Sequence, residues 1–372
     1  MPVSQPDVVI AGGGVIGLTT ACLLARNGVS VLVLDRSQTG QEASWAGAGM
    51  LPPGGVPQAS SPEARLRSLS HTLWPQFAAE LQELSGLDNG YHVCGSLLLC
   101  RSQEAAEGMV QQWREEACEA EVLEGAQLQR HAPELSTAWT HAVFLPQFAQ
   151  VRNPRHLKAL RSACERLGVR FEEHVSTLNF EVRESKIQAV RIPDRRIECS
   201  QLCLTAGAWT AGLMADLNVP IPVQPVRGQI VQLLPDQQPV SCVIEDGRRY
   251  LVPRRDGLVL VGSTEERVGF QKANTVDGVQ GLLEFAISLV PSLQHAAITR
   301  TWSGLRPGSP DELPLLGRVG GFSNLWVGAG HFRSGLQMSP GTALILSQLI
   351  SGRPPEISLE GLSPDRFRSQ QS

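Results

Sequence analysis

The stretch AGGGVIGLTTACLLARNGVSVLVLD, residues 11–35, decides the fold of this chain. A short apolar run at residues 7–10 precedes it, and the pattern Gly-x-Gly-x-x-Gly falls at Gly12, Gly14 and Gly17. In such a pattern the first glycine allows a tight turn out of a strand, the second lets the backbone approach a pyrophosphate, and the third lets helix and strand pack closely. Backbone N–H groups and the positive end of the helix dipole then face the phosphates. The stretch therefore predicts a dinucleotide site.

The same stretch predicts a strand, a helix and a second strand. Residues 18–26 have a helical composition that ends at Asn27-Gly28, a favourable C-cap, and residues 30–34 form a leucine-rich, β-branched strand. Asp35 ends this strand, where an acid accepts the hydrogen bonds of an adenosine ribose. We therefore expect an α/β fold with a Rossmann-type parallel sheet.

A second helix-and-strand unit is predicted at residues 153–171. Asn153 is expected to cap the helix, Pro154 to take its first position, and Gly168 to end it before a strand at residues 169–171. This unit is expected to join the first sheet.

Other segments predict a second, antiparallel lobe. Residues 91–100 are predicted as a strand and residues 103–120 as an exposed amphipathic helix. Residues 224–265 have an all-strand pattern that includes turn residues typical of a hairpin. A strand at residues 325–327 and a helix at residues 340–350 return the chain to the first lobe.

These segments divide the chain into two interleaved domains. The dinucleotide-binding domain, for which FAD is argued below, is expected to comprise residues 1–90, 150–220 and 306–372, and the substrate-binding domain residues 91–149 and 221–305. The second domain is expected to be of α+β type, with an antiparallel sheet.

Composition indicates a folded chain without general affinity for polyanions. The formal net charge is −4, so neither nucleic acid nor an anionic membrane is expected as a partner. Eight cysteines without a Cys-x-x-Cys pair predict reduced, mostly buried thiols in a chain of this size. No apolar run reaches the ~20 residues that span a bilayer, and no secretory signal pattern is present. We expect a cytoplasmic protein.

The glycine pattern by itself leaves NAD and FAD open, and three further stretches favour FAD. QTGQEASWAGAGM, residues 38–50, is glycine-rich and small, which suits backbone lying against an extended cofactor. CLTAGAWT, residues 203–210, is a strand entering a turn of small residues. VGAGHFRSGLQMSPGTALIL, residues 327–346, is a strand, a turn and a helix whose N-terminus can stabilise charge on a reduced flavin.

Taken in order, these motifs resemble the FAD-dependent amine and amino-acid oxidoreductases of the D-amino-acid oxidase type, and within them the glycine oxidases of bacterial thiamine synthesis. The matching stretches are VVIAGGGVIGLTTACLLARNGVSVLVLDR, EASWAGAGML, NPRHLKAL, TAGAWT, RGQIVQL, YLVPRRDGLVLVGST, WSGLRPGSPDELPLLG and GAGHFRSGLQMSP. They extend over residues 8–340, so the resemblance covers nearly the whole chain.

The resemblance implies a set of FAD contacts. Besides the three glycines, these are Val15, Ile16, Asp35, Arg36, Ala43, Ser44, Ala48, Gly49, Met50, Val175, His331, Phe332, Arg333, Ser334, Gly335, Leu336 and Gln337. Several relatives attach flavin covalently through a histidine in the stretch that here reads SWAGAG. Because Trp45 and Ala46 stand there instead, we expect non-covalent FAD.

Three residues are candidates for the catalytic site. Planar arginine suits a bidentate grip on an amino acid's carboxylate, and Arg306 lies beside a rigid Pro/Gly turn. The resemblance implies that Arg306 and Tyr250 hold this carboxylate, and that Arg333 lies close to both substrate and flavin. Glu265 departs from the apolar residue expected there. If it faces the pocket it favours small or cationic amines; if it faces solvent it carries no such information.

The inferred reaction is hydride transfer from the substrate's Cα to flavin N5, with oxygen as electron acceptor and hydrogen peroxide as product. Glycine, sarcosine and D-alanine are the substrates that the resemblance implies. Orientation is expected to do most of the catalytic work, and no protein general base is required if the amine arrives neutral. Alternatives are a dehydrogenase of D-amino acids or 2-hydroxy acids that reduces a quinone or a protein, and a flavin-binding module without turnover. No metal site is expected. A homo-oligomer, such as the homotetramer common among glycine oxidases, is expected.

Overall fold

The structure, a computed structural model, describes residues 5–56, 59 and 61–370. Its strands are β1 (Val8–Ala11), β2 (Val31–Leu34), β3 (Met50–Leu51), β4 (His92–Val93), β5 (Ser96–Cys100), β6 (Glu121–Glu124), β7 (His141–Leu145), β8 (Ala149–Gln150), β9 (Arg170–Glu172), β10 (Asn179–Arg183), β11 (Lys186–Ile192), β12 (Arg195–Glu198), β13 (Gln201–Leu204), β14 (Gln224–Leu234), β15 (Val243–Asp246), β16 (Arg249–Pro253), β17 (Val259–Gly262), β18 (Ala297–Gly308), β19 (Leu315–Arg318) and β20 (Leu325–Ala329). Its α-helices are α1 (Val15–Arg26), α2 (Ala43–Ala46), α3 (Pro62–Ser85), α4 (Gln103–Glu115), α5 (Gly125–His131), α6 (Asn153–Arg166), α7 (Thr210–Ala215), α8 (Val276–Leu289) and α9 (Ser339–Ile350).

The first sheet has the strand order β19-β20-β13-β1-β2-β9 and is parallel except for β19. Strands β1 and β2 are buried along their whole length, as expected of a parallel sheet covered on both faces. Helices α1, α3, α6 and α9 cover one face, and the small sheet β10-β11-β12 with α7 covers the other. The predicted Rossmann-type fold is confirmed. Helix α1 begins at Val15, three residues before the predicted start, because the glycine turn itself leads into the first helical turn.

The second helix-and-strand unit joins this sheet through β9, which pairs with β2. Its helix α6 differs from the prediction at one end: Arg152 is the N-cap, and Asn153 is the first helical residue. The Asn153 side chain does not cap the helix because its amide donates to the carbonyl of Ser44, at 2.7 Å. Asn153 therefore ties α6 to the loop that follows β2.

The second large sheet has the order β18-β14-β17-β16-β15-β5-β7-β6. It is antiparallel as predicted, except that β15 and β5 run parallel. Helices α5 and α8 cover one face, and helix α4 and the loop at Ala48 pack against the other. Helix α8 was not predicted, although Thr275 caps it through a hydrogen bond to the N–H of Gly278.

Several predicted boundaries change. The predicted strand at residues 91–100 splits into β4, which pairs with β8 in a three-stranded sheet with β3, and β5 of the large sheet. Helix α4 ends at Glu115 rather than at residue 120. The predicted domain boundary at 306 falls inside β18, so Arg306 is part of the antiparallel sheet. Within the residues described, no helix is both long and apolar enough to cross a membrane.

Candidate active site

A cavity of about 570 Å³ extends from the carboxyl ends of β1 and β2 to the face of the antiparallel sheet that carries Tyr250 and Arg306. All predicted site residues except Gly17 line it: Gly12, Gly14, Val15, Ile16, Asp35, Arg36, Ala43, Ser44, Ala48, Gly49, Met50, Val175, Tyr250, Arg306, His331, Phe332, Arg333, Ser334, Gly335, Leu336 and Gln337. The structure thus brings together residues that are spread over most of the sequence.

The glycine turn between β1 and α1 has no room for side chains. Gly12 has φ +112°, and a Cβ on it would lie 2.5 Å from the carbonyl oxygen of Thr205. Gly17 lies outside the cavity wall, where a Cβ would collide with the carbonyl of Gly12, so this glycine serves close packing. Gly14 is the N-cap of α1 without a side-chain cap. A backbone surface at a helix N-terminus fits a pyrophosphate.

Asp35 holds the glycine turn in shape. Its Oδ2 accepts a hydrogen bond from the N–H of Gly13 at 2.7 Å, and its Oδ1 accepts one from the N–H of Ser37 at 2.8 Å. Burial raises the pKa of Asp35, and these hydrogen bonds oppose that shift. The carboxylate is therefore fixed at the cavity wall, where a ribose is expected.

Trp209, which sequence reasoning did not single out, forms the wall beside Arg36. The Arg36 guanidinium lies 4.1 Å from the centre of the Trp209 ring, and Phe270 lies on Trp209 with ring centres 5.4 Å apart. Close by, Lys272 donates to Glu42 at 2.7 Å. Residues of the segment between β17 and α8 thus lie against the nucleotide end of the cavity.

Arg254 fixes the loop at the middle of the cavity. It is buried, and its guanidinium donates to the carbonyls of Ala48 at 2.6 Å and Val151 at 3.1 Å and to the side chain of Gln150 at 2.7 Å. Burial lowers the pKa of Arg254 to about 10, so the side chain stays charged at neutral pH. Sequence reasoning missed Arg254, because only the fold brings β16 beside the loop at Ala48.

Two glycines make room for Arg306 and Tyr250. Arg306 lies on β18 and leans over the neighbouring strand β14, where a Cβ on Gly228 would overlap its guanidinium. Tyr250 lies on β16 and leans over β17, where a Cβ on Gly262 would lie 2.6 Å from its hydroxyl oxygen. Since β14 and β17 are adjacent, the two side chains lean toward each other. Together they present a planar cation and a hydroxyl at one end of the cavity.

Arg306 is held by hydrogen bonds to the two residues that directly follow β17. It donates to the hydroxyl of Ser263 at 2.6 Å and to the carbonyl of Thr264 at 3.2 Å. Burial lowers the pKa of Arg306, and the neighbouring Tyr250 and Glu266 oppose this shift. The guanidinium therefore remains a cation that can grip a carboxylate in bidentate fashion.

Glu266 is the centre of a hydrogen-bond network next to Arg306. It accepts hydrogen bonds from Thr264 at 2.6 Å and Gln229 at 2.8 Å and forms an ion pair with buried Arg227. Burial alone would raise the pKa of Glu266, but the hydrogen bonds from Arg227, Thr264 and Gln229 outweigh it and lower the pKa to about 2. This network fixes Thr264, whose carbonyl accepts from Arg306.

Glu265 lies outside the cavity wall and is partly exposed. It forms ion pairs with Arg333 and Arg248, which both line the cavity. Burial lowers the pKa of Arg333, as does the neighbouring charge of Arg248. Glu265 thus neutralises part of the positive charge at the cavity rim, which answers the question that its sequence position raised.

The turn at residues 331–337 is locked against two helices. His331 is buried, its Nε2 lies 3.0 Å from the hydroxyl of Thr342, and burial lowers its pKa to about 3. A neutral imidazole so engaged is a structural residue. The indole of Trp74 on α3 donates to the carbonyl of Gln337 at 2.8 Å. Helix α3 was not predicted, although the hydroxyl of Ser61 caps it by accepting a hydrogen bond from the N–H of Ala64.

No group of three or more His, Cys, Asp or Glu side chains is placed to hold a metal ion in the part of the chain that the structure describes. The donor set of the cavity, with glycine turns, a helix N-terminus and Asp35, instead fits a dinucleotide.

Comparison with known proteins agrees with this geometry. Residues 7–349 match the family model DAO, described as FAD dependent oxidoreductase. The chain belongs to this family of FAD-binding flavoenzymes, and it is an FAD-dependent amino-acid oxidase. The predicted cofactor, FAD, is thereby confirmed.

Two of the similar proteins are glycine oxidases matched over nearly their whole length, and a third is a longer bifunctional protein. The chain is 34% identical to glycine oxidase of Pseudomonas putida over 360 residues, which cover 96% of this chain and 98% of that protein. It is 35% identical to the bifunctional protein ThiO/ThiG of Synechocystis, covering 97% of this chain and 54% of that protein. The crystal structure of glycine oxidase from Geobacillus kaustophilus superimposes with a TM-score of 0.92 at 29% identity, covering 98% and 99% of the two chains. The predicted family resemblance is confirmed.

Proposed function

We propose that the protein catalyses the oxidative deamination of glycine and other small amines, such as sarcosine and D-alanine. Oxygen is the electron acceptor, and the products are an imine or 2-oxo acid, ammonia and hydrogen peroxide. The observation that carries the proposal is the pair Arg306 and Tyr250, which lean together over Gly228 and Gly262 at one end of the cavity. The similarity to glycine oxidases supports it.

The two side chains act by binding and orientation. Arg306 grips the substrate carboxylate with two N–H groups, and the hydroxyl of Tyr250 donates to the same carboxylate. Holding the carboxylate fixes the direction of the substrate's Cα–H bond, and such orientation is a large part of catalysis. FAD, when bound along the cavity, supplies the acceptor for the hydride that leaves Cα. Trp45 and Ala46 leave no histidine for a covalent link in their stretch, so the cofactor is held non-covalently.

Two arginines in the cavity wall share one acidic partner. Arg248 and Arg333 both line the cavity and both pair with Glu265, which lies outside its wall. Because Arg333 already forms an ion pair with Glu265, this arginine is not free to hold a second carboxylate of the substrate.

The cellular role proposed is the supply of an imine for thiazole and thiamine synthesis, which the likeness to a ThiO/ThiG protein supports. The protein is proposed to be cytoplasmic and homo-oligomeric. The two-domain division, with Arg306 now placed on the antiparallel sheet, is also a proposal.

Anaerobic mixing of the FAD-loaded protein with glycine, sarcosine or D-alanine tests the proposal. Bleaching of the flavin absorbance is expected, followed by rapid reoxidation and peroxide release when air is admitted. Absence of bleaching with all three amines would overturn the substrate class. Slow reoxidation in air, with fast electron transfer to a quinone, would instead identify a dehydrogenase. Acid precipitation should release the flavin into solution.

A further inference from the structure

The loop at residues 267–274, between β17 and α8, is anchored at both ends to strand β14. Glu266 exchanges two backbone hydrogen bonds with Arg227, at 2.8 and 3.0 Å, and the N–H of Thr275 donates to the side chain of Gln229 at 2.8 Å. The residues between these anchors are mostly exposed. The loop therefore belongs to the antiparallel sheet by its ends, while its middle is free to serve another contact.

The middle of the loop contacts the first lobe through two side chains. The Phe270 ring lies on the Trp209 ring, with ring centres 5.4 Å apart and 30° between the ring planes, and Lys272 donates to Glu42 at 2.7 Å. Over the part of the chain that the structure describes, these are the only ring contact and side-chain hydrogen bond of residues 267–274. Trp209 and Glu42 both line the cavity. Both contacts of the loop are thus made with the wall of the FAD site.

Trp209 is itself part of a bridge over the nucleotide end. It follows β13, and the Arg36 guanidinium, 4.1 Å from the centre of its ring, follows β2. Because β1 lies between β2 and β13 in the sheet, the contact between Arg36 and Trp209 bridges the carboxyl end of β1, where the glycine turn begins. Phe270 connects this bridge to the antiparallel sheet.

Lys272 balances charge where the phosphates of a dinucleotide are expected. Burial raises the pKa of Asp35, and the charge of Glu42 adds to that shift, so the two carboxylates are close enough to repel each other. Both line the cavity near the glycine turn, where a pyrophosphate would add more negative charge. Lys272 neutralises Glu42 through their ion pair.

We propose that Phe270 and Lys272 form a clasp that closes the nucleotide end of the FAD site and slows the release of FAD. The bound cofactor leaves only after the Phe270 ring has separated from Trp209 and the ion pair between Lys272 and Glu42 has opened. The antiparallel sheet thereby retains the cofactor as well as carrying Arg306 and Tyr250. This assignment concerns FAD alone and does not depend on the identity of the substrate.

The rate of FAD release tests the aromatic half of the clasp. FAD-loaded protein is diluted into a large volume of buffer, and the increase of free flavin fluorescence is followed. Phe270→Ala should release FAD about tenfold faster, because the substitution removes the ring contact and the area it buries. Ile298→Ala is the matched control, since Ile298 is exposed to the same extent as Phe270, 54%, and should leave the rate unchanged.

The ionic half of the clasp is tested in the same assay. Lys272→Met should accelerate release about threefold at low salt, since a partly exposed ion pair contributes little, and this effect should vanish at high salt. In a Glu42→Gln background Lys272→Met should no longer accelerate release, because the partner of the lysine is already neutral. Lys158→Met, at an exposed lysine of α6, should release FAD as the wild type does.

Limited trypsin digestion of the FAD-loaded protein locates the change. Arg267 and Lys272 are trypsin sites inside the loop, and Phe270→Ala should be cleaved faster there while the rest of the chain is cleaved at the wild-type rate. Release rates of Phe270→Ala and Lys272→Met equal to those of the control variants would overturn the proposal. Faster cleavage throughout the chain in Phe270→Ala would also overturn it, because general loosening would then account for the release.

Discussion

The guanidinium of Arg306 occupies the space that a side chain on Gly228 would need. The two residues lie on the neighbouring strands β18 and β14 and are 78 positions apart in the sequence. Arg306 can lean toward Tyr250 only because Gly228 carries no Cβ. The geometry of the candidate substrate site thus depends on an absent side chain as much as on the ones present.

Replacing Gly228 by alanine tests this relationship. The added methyl group should displace the Arg306 guanidinium, so Gly228→Ala should raise the KM for glycine and lower kcat/KM by about tenfold or more. Gly108→Ala is the control, because a Cβ there meets nothing within 4 Å. Steady-state peroxide assays measure both. Wild-type kinetics in Gly228→Ala would contradict the proposed placement of Arg306.

Removing the guanidinium itself should have a larger effect. A charge-assisted hydrogen bond contributes about 1.5 to 3 kcal/mol, so Arg306→Ala should lower kcat/KM for glycine about a hundredfold while FAD stays bound. Arg300→Ala, on the same strand but exposed, should leave both unchanged. An Arg306→Ala variant with wild-type kcat/KM would remove Arg306 from the substrate site.

Neutralising Glu265 should change charge preference at the rim. Glu265→Gln releases Arg333 and Arg248 from their common partner, so iminodiacetate, with its second carboxylate, should bind better relative to glycine. The ratio of inhibition or turnover constants, measured at low and high salt, reports this shift. Glu312→Gln, which alters another acid near Arg248, is the control. An unchanged ratio at low salt would show that Glu265 does not govern access.

Arg254 should contribute to stability and to FAD retention together. Arg254→Met leaves the carbonyls of Ala48 and Val151 without their charged donor, at a cost on the order of 3 kcal/mol in free energy of unfolding. Thermal unfolding and flavin fluorescence measure the two effects. The exposed neighbour offers the control Arg255→Met, which should be nearly silent. Equal effects of the two substitutions would contradict the role assigned to Arg254.

Acid should weaken the hydrogen-bond network next to Arg306 by protonating Glu266. Its pKa is about 2 in the folded protein and 4.5 as an unperturbed side chain, so the unfolded state binds a proton first as the pH falls. The stability that Glu266 contributes is complete above pH 4.5 and is lost between 4.5 and 2. Glu266→Gln should therefore lower stability at pH 7 and flatten its decline in this window, which urea unfolding at several pH values checks. Glu284→Gln, exposed on α8, should retain the wild-type decline.

Sequence predicted the nucleotide end of the molecule well, because its determinants are local. Gly12, Gly14 and Gly17 stand in one short pattern, and their strand, helix and acid follow directly. The helices α3 and α8 were missed despite their caps at Ser61 and Thr275, because Pro75 within α3 and two glycines within α8 weaken the local helix signal.

The substrate end was predicted only in part. Arg306 and Tyr250 were found through the family resemblance, and the structure places both at the cavity wall. Gly228 and Arg254 were missed because their roles arise from contacts between segments that are distant in sequence. No local pattern marks a glycine whose purpose is to leave room for another strand's side chain.

The leaning pair over β14 and β17 also constrains any redesign. Transplanting the carboxylate grip to another scaffold would require four adjacent strands in the order β18-β14-β17-β16, with one glycine on each of the two inner strands and a register offset of two residues between these glycines. A graft of arginine and tyrosine alone would produce two side chains standing upright and apart. The transferable unit is therefore the four-stranded segment of the sheet. In it the glycines of the two inner strands are as necessary as the arginine and the tyrosine of the two outer strands.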